Sequence, residues 1–161
     1  MIKSFAAIVG TLLCLVSSIS WGTECAGDMA ITAVVNHQLK RYEQALNASD
    51  VDGVMKLYAA DAVVMAQNNM PAVGRDAVRQ TYLHVFSSIK LKIRFDIDEI
   101  HPLTQDWAFA RTRSNGQVKV LASHTSAKPE ANQELFLFHR DADGEWRIAR
   151  YIFSTTNVPQ L

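Results

Sequence analysis

Cysteine is scarce in this chain, which carries only Cys14 and Cys25. Cys14 lies in an apolar N-terminal run that is expected to be removed, leaving Cys25 with no intramolecular partner. That argues against a disulfide-stapled scaffold. Lipid attachment would need a small residue directly before the cysteine, but Cys14 follows Leu13 and Cys25 follows Glu24. An excess of one charge is also missing. The 16 basic and 16 acidic residues give a formal net charge of zero and are mixed along the chain. The balance offers neither the basic face that binds nucleic acid nor a polybasic membrane patch.

A long hydrophobic run is lacking as well. The apolar stretch 5–16 is too short to cross a bilayer comfortably. With Lys3 before it and Ser20-Trp21-Gly22 after it, the stretch reads as an export signal over residues 1–22. A buried N-terminal helix is the competing reading. The remaining residues, 23–161, suit a single domain with one core, placed in the periplasm or outside the cell. The histidines, His37, His84, His101, His124 and His139, show no metal-ligand spacing. No glycine-rich phosphate loop follows a strand, and Ser123, Ser126 and Cys25 have no activating partner nearby. Neither a metal nor a cofactor is expected.

The pattern that is present begins with helices. Ile31, Val34, Val35, Leu39, Tyr42 and Leu46 recur along one face and predict a helix over 29–47. Ser49 and Asp52 resemble a capping box that opens a second helix at 51–58. A short strand is expected at 62–66, then an irregular stretch, then a third helix opening at Gly74-Arg75-Asp76 with Val78, Tyr82, Val85 and Phe86 on its apolar face. From Ile89 the period becomes two: Ile89, Leu91, Ile93, Phe95 and Ile97 alternate with charged residues. Further strands are expected at 107–113, 118–123, 134–139 and 146–155, with Asn115-Gly116 as a hairpin turn. Helices followed by a meander of strands give an α+β fold.

Several segments resemble the nuclear transport factor 2-like superfamily, in its SnoaL-like and ketosteroid-isomerase-like branch. They are Tyr42-x-x-Ala45-Leu46-Asn47-Ala48-x-Asp50-x-Asp52-Gly53, Leu57-Tyr58-Ala59-x-Asp61-Ala62, Gly74-Arg75-x-Ala77-Val78 and Phe136-x-Phe138. The resemblance implies a cone: a curved antiparallel sheet wrapped around three N-terminal helices, the cystatin-like roll. Ketosteroid isomerases pair a general-base Asp with an oxyanion hole of a Tyr and a protonated acid. By resemblance the tyrosine falls on Tyr42, the acid on Glu134 just before Phe136, and the base on Ala66, which accepts no proton. A steroid-type isomerase is therefore not expected.

The same alignment puts Phe109, Arg111 and Arg113 on the face that looks into the cone, and Trp107 shares their parity. Tyr42 is then either a donor to a ligand oxygen or an amphipathic core residue. Arg111 is either a clamp for an anionic ligand or the structural partner of Glu134. Glu134 is an acid if desolvated and a plain carboxylate if paired. His124 is the candidate for a substitute base, while Met55, Met65 and Met70 are pocket liners or core filling. Two functions follow from the resemblance. One is an exported cavity protein that binds, or binds and transforms, a small polar or anionic organic molecule. The other is a non-catalytic ligand-binding or dimerisation module, with a homodimer expected from the apolar surface of the sheet.

Overall fold

The computed structural model describes residues 21–157, with side chains from Ala26 onward. The expected export signal lies outside the described residues except for Trp21 and Gly22, which open the first helix. In chain order the elements are α1 (Trp21–Ala48), α2 (Val51–Met55), β1 (Tyr58–Ala66), β2 (Ala72–Val73), α3 (Arg75–Ser88), β3 (Ile89–Pro102), β4 (Trp107–Val120), β5 (Lys128–Arg140) and β6 (Trp146–Thr155). The six strands form one sheet in the order β2-β1-β6-β5-β4-β3. It is mixed rather than purely antiparallel, because β1 runs parallel to β6. Register shifts in β3, in the β5–β6 pair and in the β1–β6 pair mark where the strands bend, and they give the unclosed sheet its curvature.

The α1 stripe works as the periodicity predicts: Val35, Leu39, Tyr42 and Leu46 are buried, and Val78 and Tyr82 of α3 join them. The break between α1 and α2 differs from the expected capping box. Ser49 takes a left-handed φ of 53° to end α1, so the cap moves one residue on, and the Asp50 carboxylate accepts from Gly53 N at 2.9 Å. α2 is shorter than expected because the chain is already extended at Tyr58.

Asn115-Gly116 is not a turn. It sits within β4, where Gly116 pairs with Ile93 on one side and Glu130 on the other. A Cβ at 116 would run into the Lys92 carbonyl oxygen, so glycine is needed for close approach of two strands, not for reversal. The β3–β4 reversal instead follows Pro102, where Leu103 N donates to Trp107 O at 2.8 Å.

β3 is an edge strand, and α1 closes part of that edge. The Asn47 side chain accepts from Ile93 N and donates to Ile93 O, each at 2.8 Å, and Glu43 accepts from Phe95 N at 2.7 Å. These bonds occupy backbone groups that would otherwise be free to pair with another chain. They also fix α1 across the concave side of the sheet, which sets the position of Tyr42.

Candidate functional site

Side chains alternate between the two faces of a strand, so the pairing register defines the concave wall. Thr112, Glu134 and Phe153 lie side by side on β4, β5 and β6. One step deeper come Ala110, Phe136 and Tyr151; one step towards the mouth come Ser114, Asn132 and Thr155. Facing this wall are Tyr42 from α1, Tyr58 from the start of β1 and Tyr82 from α3. Half-buried Phe86, Leu91, Phe95 and Phe153 surround the buried part of the cone.

All four tyrosines of the chain are buried here. The Tyr42 and Tyr82 hydroxyls bond each other, Tyr58 and Tyr82 are 2.8 Å apart, and Tyr58 donates to Tyr42 at 3.3 Å. A phenol has one proton to give, so a closed trio can satisfy its donors internally. Burial pushes all three pKa values up, that of Tyr82 to about 12 and those of Tyr42 and Tyr58 well above the ordinary tyrosine value. Tyr42 is therefore neutral, 1% exposed, and packed against the rings of Tyr58, Tyr82, Phe95, Phe136 and Tyr151. Of its two expected roles, this geometry favours the amphipathic core residue.

Glu134 is the carboxyl group of this wall, 5% exposed. Thr112 donates its hydroxyl to the Glu134 carboxylate. Burial raises the Glu134 pKa, and the Ser114, Thr112 and Tyr151 hydroxyls hold it back. No cation among the described residues meets the carboxyl, so hydroxyls are its partners and burial holds its pKa above the usual glutamate value. The Tyr151 pKa is also pushed far up, first by burial and next by the Glu134 charge.

The expected site residues thus divide. Tyr42, Glu134 and Phe136 are on the concave side, and Ala66 follows the buried positions Ala62 and Val64 at the inner end of β1. Trp107, Phe109, Arg111 and Arg113 are on the opposite, outer face, contrary to expectation, because the parity of β4 places Ala108, Ala110, Thr112 and Ser114 inside. A strand's period fixes which residues travel together and leaves the choice of face open. Small residues are inside β4 because the large rings of β3 and β5 fill the space beside it.

The outer arginines are well supplied with acids. A bulge after Ile97 turns both Asp98 and Glu99 outward, where Arg111 meets Asp98 at 2.8 Å and also Glu99, and Arg113 meets Asp98 at 2.8 Å. Hydrogen bonds from Arg113 and Arg111 lower the pKa values of Asp98 and Glu99 respectively. Arg111 is thus neither an interior clamp nor the partner of Glu134. His124 is exposed in the β4–β5 loop, which argues against its role as an interior base. Met55 is core, Met65 borders a groove on the outer face, and Met70 is 88% exposed.

Tyr58, Tyr82, Tyr151, Thr112 and Ser114 are not among the site residues expected from the sequence. Their common signal is that each occupies an inward position of its element, and that the chain spends every tyrosine it has on such positions.

The profile of the SnoaL-like domain matches residues 39–151. The fold is similar to that of a ketosteroid isomerase-like protein from Erwinia carotovora atroseptica, with 33% identity, coverage of 78% of this chain and 96% of that one, and a TM-score of 0.74. A candidate scytalone dehydratase from Novosphingobium aromaticivorans shares the fold at 17% identity, covering 83% and 89% of the two chains with a TM-score of 0.73. So does an NTF2-like protein of unknown function from Pseudomonas putida, at 16% identity, 78% and 87% coverage and a TM-score of 0.64. With the profile spanning most of the chain and the concave sheet closed by its helices, this protein belongs to the SnoaL-like family of the nuclear transport factor 2-like superfamily.

Proposed function

We propose that the protein is an exported, single-domain cavity protein whose concave wall binds a small, neutral organic molecule carrying a carbonyl or hydroxyl oxygen. The observation that carries this reading is the buried, cation-free Glu134 carboxyl set among hydroxyls and bordered by half-buried aromatic rings. An anionic ligand is not favoured, since Arg111 and Arg113 are spent on Asp98 and Glu99 outside the cone. Steroid-type isomerisation is not part of the proposal either, since Ala66 stands where the resemblance puts the base. A polar ligand group would hydrogen-bond to the Glu134 carboxyl while its apolar body lies against Phe95 and Phe153.

The test uses 2-naphthol and 2-naphthoate as probes, followed by calorimetry. Naphthol should bind saturably, more tightly than naphthoate, and Glu134→Ala should weaken it about fivefold, the worth of one hydrogen bond. Tighter binding of naphthoate, or naphthol binding untouched by the substitution, would defeat the reading. Glu134→Gln supplies a check on protonation. The folded pKa of Glu134 is raised, so its contribution to stability is full below the ordinary glutamate value and is lost as pH rises through the folded value. Chemical denaturation should therefore show Glu134→Gln gaining on the unsubstituted protein as pH rises through that window.

A second reading is a homodimer through the outer sheet face. Leu135 and Ile152, 40% and 45% exposed, are paired neighbours on β5 and β6 that border a groove of about 600 Å³ with Met65. Light scattering at micromolar concentration should give twice the monomer mass; a monomer there would rule this pairing out.

A further inference from the structure

A second concave site lies away from the Glu134 wall. It is an open cleft of about 500 Å³ lined by α1, the α2–β1 junction, the start of α3 and the β5–β6 turn. Its size is within the range of small-molecule sites. Four cations line it, Arg41, Lys56, Arg75 and Arg147, with Asp141 and Glu145 as the carboxylates. Arg147 is already committed, to Asp141 at 2.8 Å and to Asp143 at 2.7 Å, and Asp141 also meets His139 at 3.1 Å.

The other three cations form no ion pair among the described residues. Arg41 donates to Gln38 Oε1 at 3.1 Å, and Arg75 reaches the Tyr58 carbonyl oxygen at 3.5 Å. Both are neutral acceptors. Glu145 is the remaining carboxylate of the lining, so Arg41, Lys56 and Arg75 outweigh it by two charges. The placement of Arg41 is built in rather than accidental. Gln38 is 5% exposed; its Nε2 donates to Trp146 O at 2.9 Å, which leaves its Oε1 fixed as the acceptor for Arg41. A buried amide is thus used at both ends to hold a guanidinium that meets no carboxylate among the described residues.

We propose that this cavity is an anion site for a phosphate group, whose double negative charge matches the surplus and whose oxygens suit two guanidinium forks and an ammonium. Met55 and Trp146 add apolar wall beside the cations, which fits a phosphate carried on a small organic body as well as free phosphate. The inference does not depend on the Glu134 wall.

The experiment titrates the full chain with inorganic phosphate, phenyl phosphate and acetate at constant ionic strength, read by calorimetry and by the shift in Tm. Phosphate should bind saturably and acetate at least tenfold more weakly. Arg41→Gln and Arg75→Gln should each weaken phosphate about tenfold, the loss of one charge-assisted hydrogen bond. Arg79→Gln should change nothing, since Arg79 lies outside the lining and is paired with Asp52 at 2.8 Å. Arg75 is exposed, so its variant keeps the test decisive even if Arg41→Gln disturbs the fold. Phenyl phosphate binding more tightly than phosphate would identify an organic phosphate as the occupant, and the reverse order the free ion; both uphold the site. Equal binding of acetate, or phosphate binding that survives both substitutions, overturns it.

Discussion

Phe136→Ala is expected to cost about 4 kcal/mol, the middle of the range for removing a fully buried aromatic ring. Phe136 is 0% exposed and lies at the centre of the ring cluster. It stacks on Tyr151 with centroids 4.3 Å apart and planes 9° from parallel, meets Tyr42 and Phe95 edge-on at 5.8 and 6.0 Å, and packs on Phe138 at 6.0 Å. Removing it leaves a void bordered by aromatic groups from α1, β3, β5 and β6, so no single element can relax into the space. Domains of this size have a total stability of about 5–15 kcal/mol, so the variant would be marginal. Its urea midpoint should fall steeply while the slope stays unchanged. Phe109→Ala is the internal comparison. Phe109 is half-buried on the outer face, stacked on His101 at 5.2 Å, and its loss should cost less than half as much. Equal costs would mean that the concave cluster is not the centre of the core.

The contrast between Phe136 and Phe109 shows how far the sequence could be read. Periodicity correctly grouped Trp107, Phe109, Arg111 and Arg113 and correctly grouped Ile89 to Ile97. For 89–97 the choice of face was also readable, because one set is apolar and the other charged. For 107–113 both sets are ambiguous: one mixes aromatics with arginines, and the other is Ala108, Ala110, Thr112 and Ser114. Volume decided it. The concave side of β4 is narrow, and the acids that neutralise the arginines become available only through the bulge at Asp98 and Glu99.

The helices and β6 were legible because long, periodic segments bury one continuous stripe. The Ser49–Asp50 junction and the Asn115-Gly116 pair were not. At the first, one local signal gave way to another, a left-handed residue ending α1; at the second, it gave way to a tertiary need, the close approach of β3 to β4. The phenol trio was invisible for another reason. Tyr42, Tyr58 and Tyr82 come from a helix, a strand and a second helix, and only the fold brings their hydroxyls together. Resemblance singled out Tyr42 as a ligand donor, but the structure shows it satisfied by its own kind.

That satisfaction has a strong consequence at alkaline pH. Tyrosine in an unfolded chain ionises near pH 10. In the folded protein Tyr82 is raised to about 12, and Tyr42, Tyr58 and Tyr151 are also raised well above the ordinary value, in every case first by burial. Above pH 10 the unfolded chain therefore sheds protons that the folded chain keeps. For groups whose folded pKa is raised, stability is intact below the unfolded value and declines as pH climbs towards the folded one. Each such group costs about 1.4 kcal/mol per pH unit in that window, so four acting together cost roughly 5 kcal/mol per unit. The fold should not survive far past pH 11.

The expected result is one step: tyrosinate absorbance and loss of near-ultraviolet circular dichroism should rise together, with no tyrosine titrating ahead of unfolding. Tyr82→Phe removes one of the four groups at a cost of about 1 kcal/mol near neutrality, since Tyr42 and Tyr58 keep only each other. Its stability should nonetheless fall less steeply with pH above 10 than that of the unsubstituted protein. Four independent titrations near pH 10 with the dichroism intact would show that the tyrosines reach solvent and that the phenol trio is not part of the packed core.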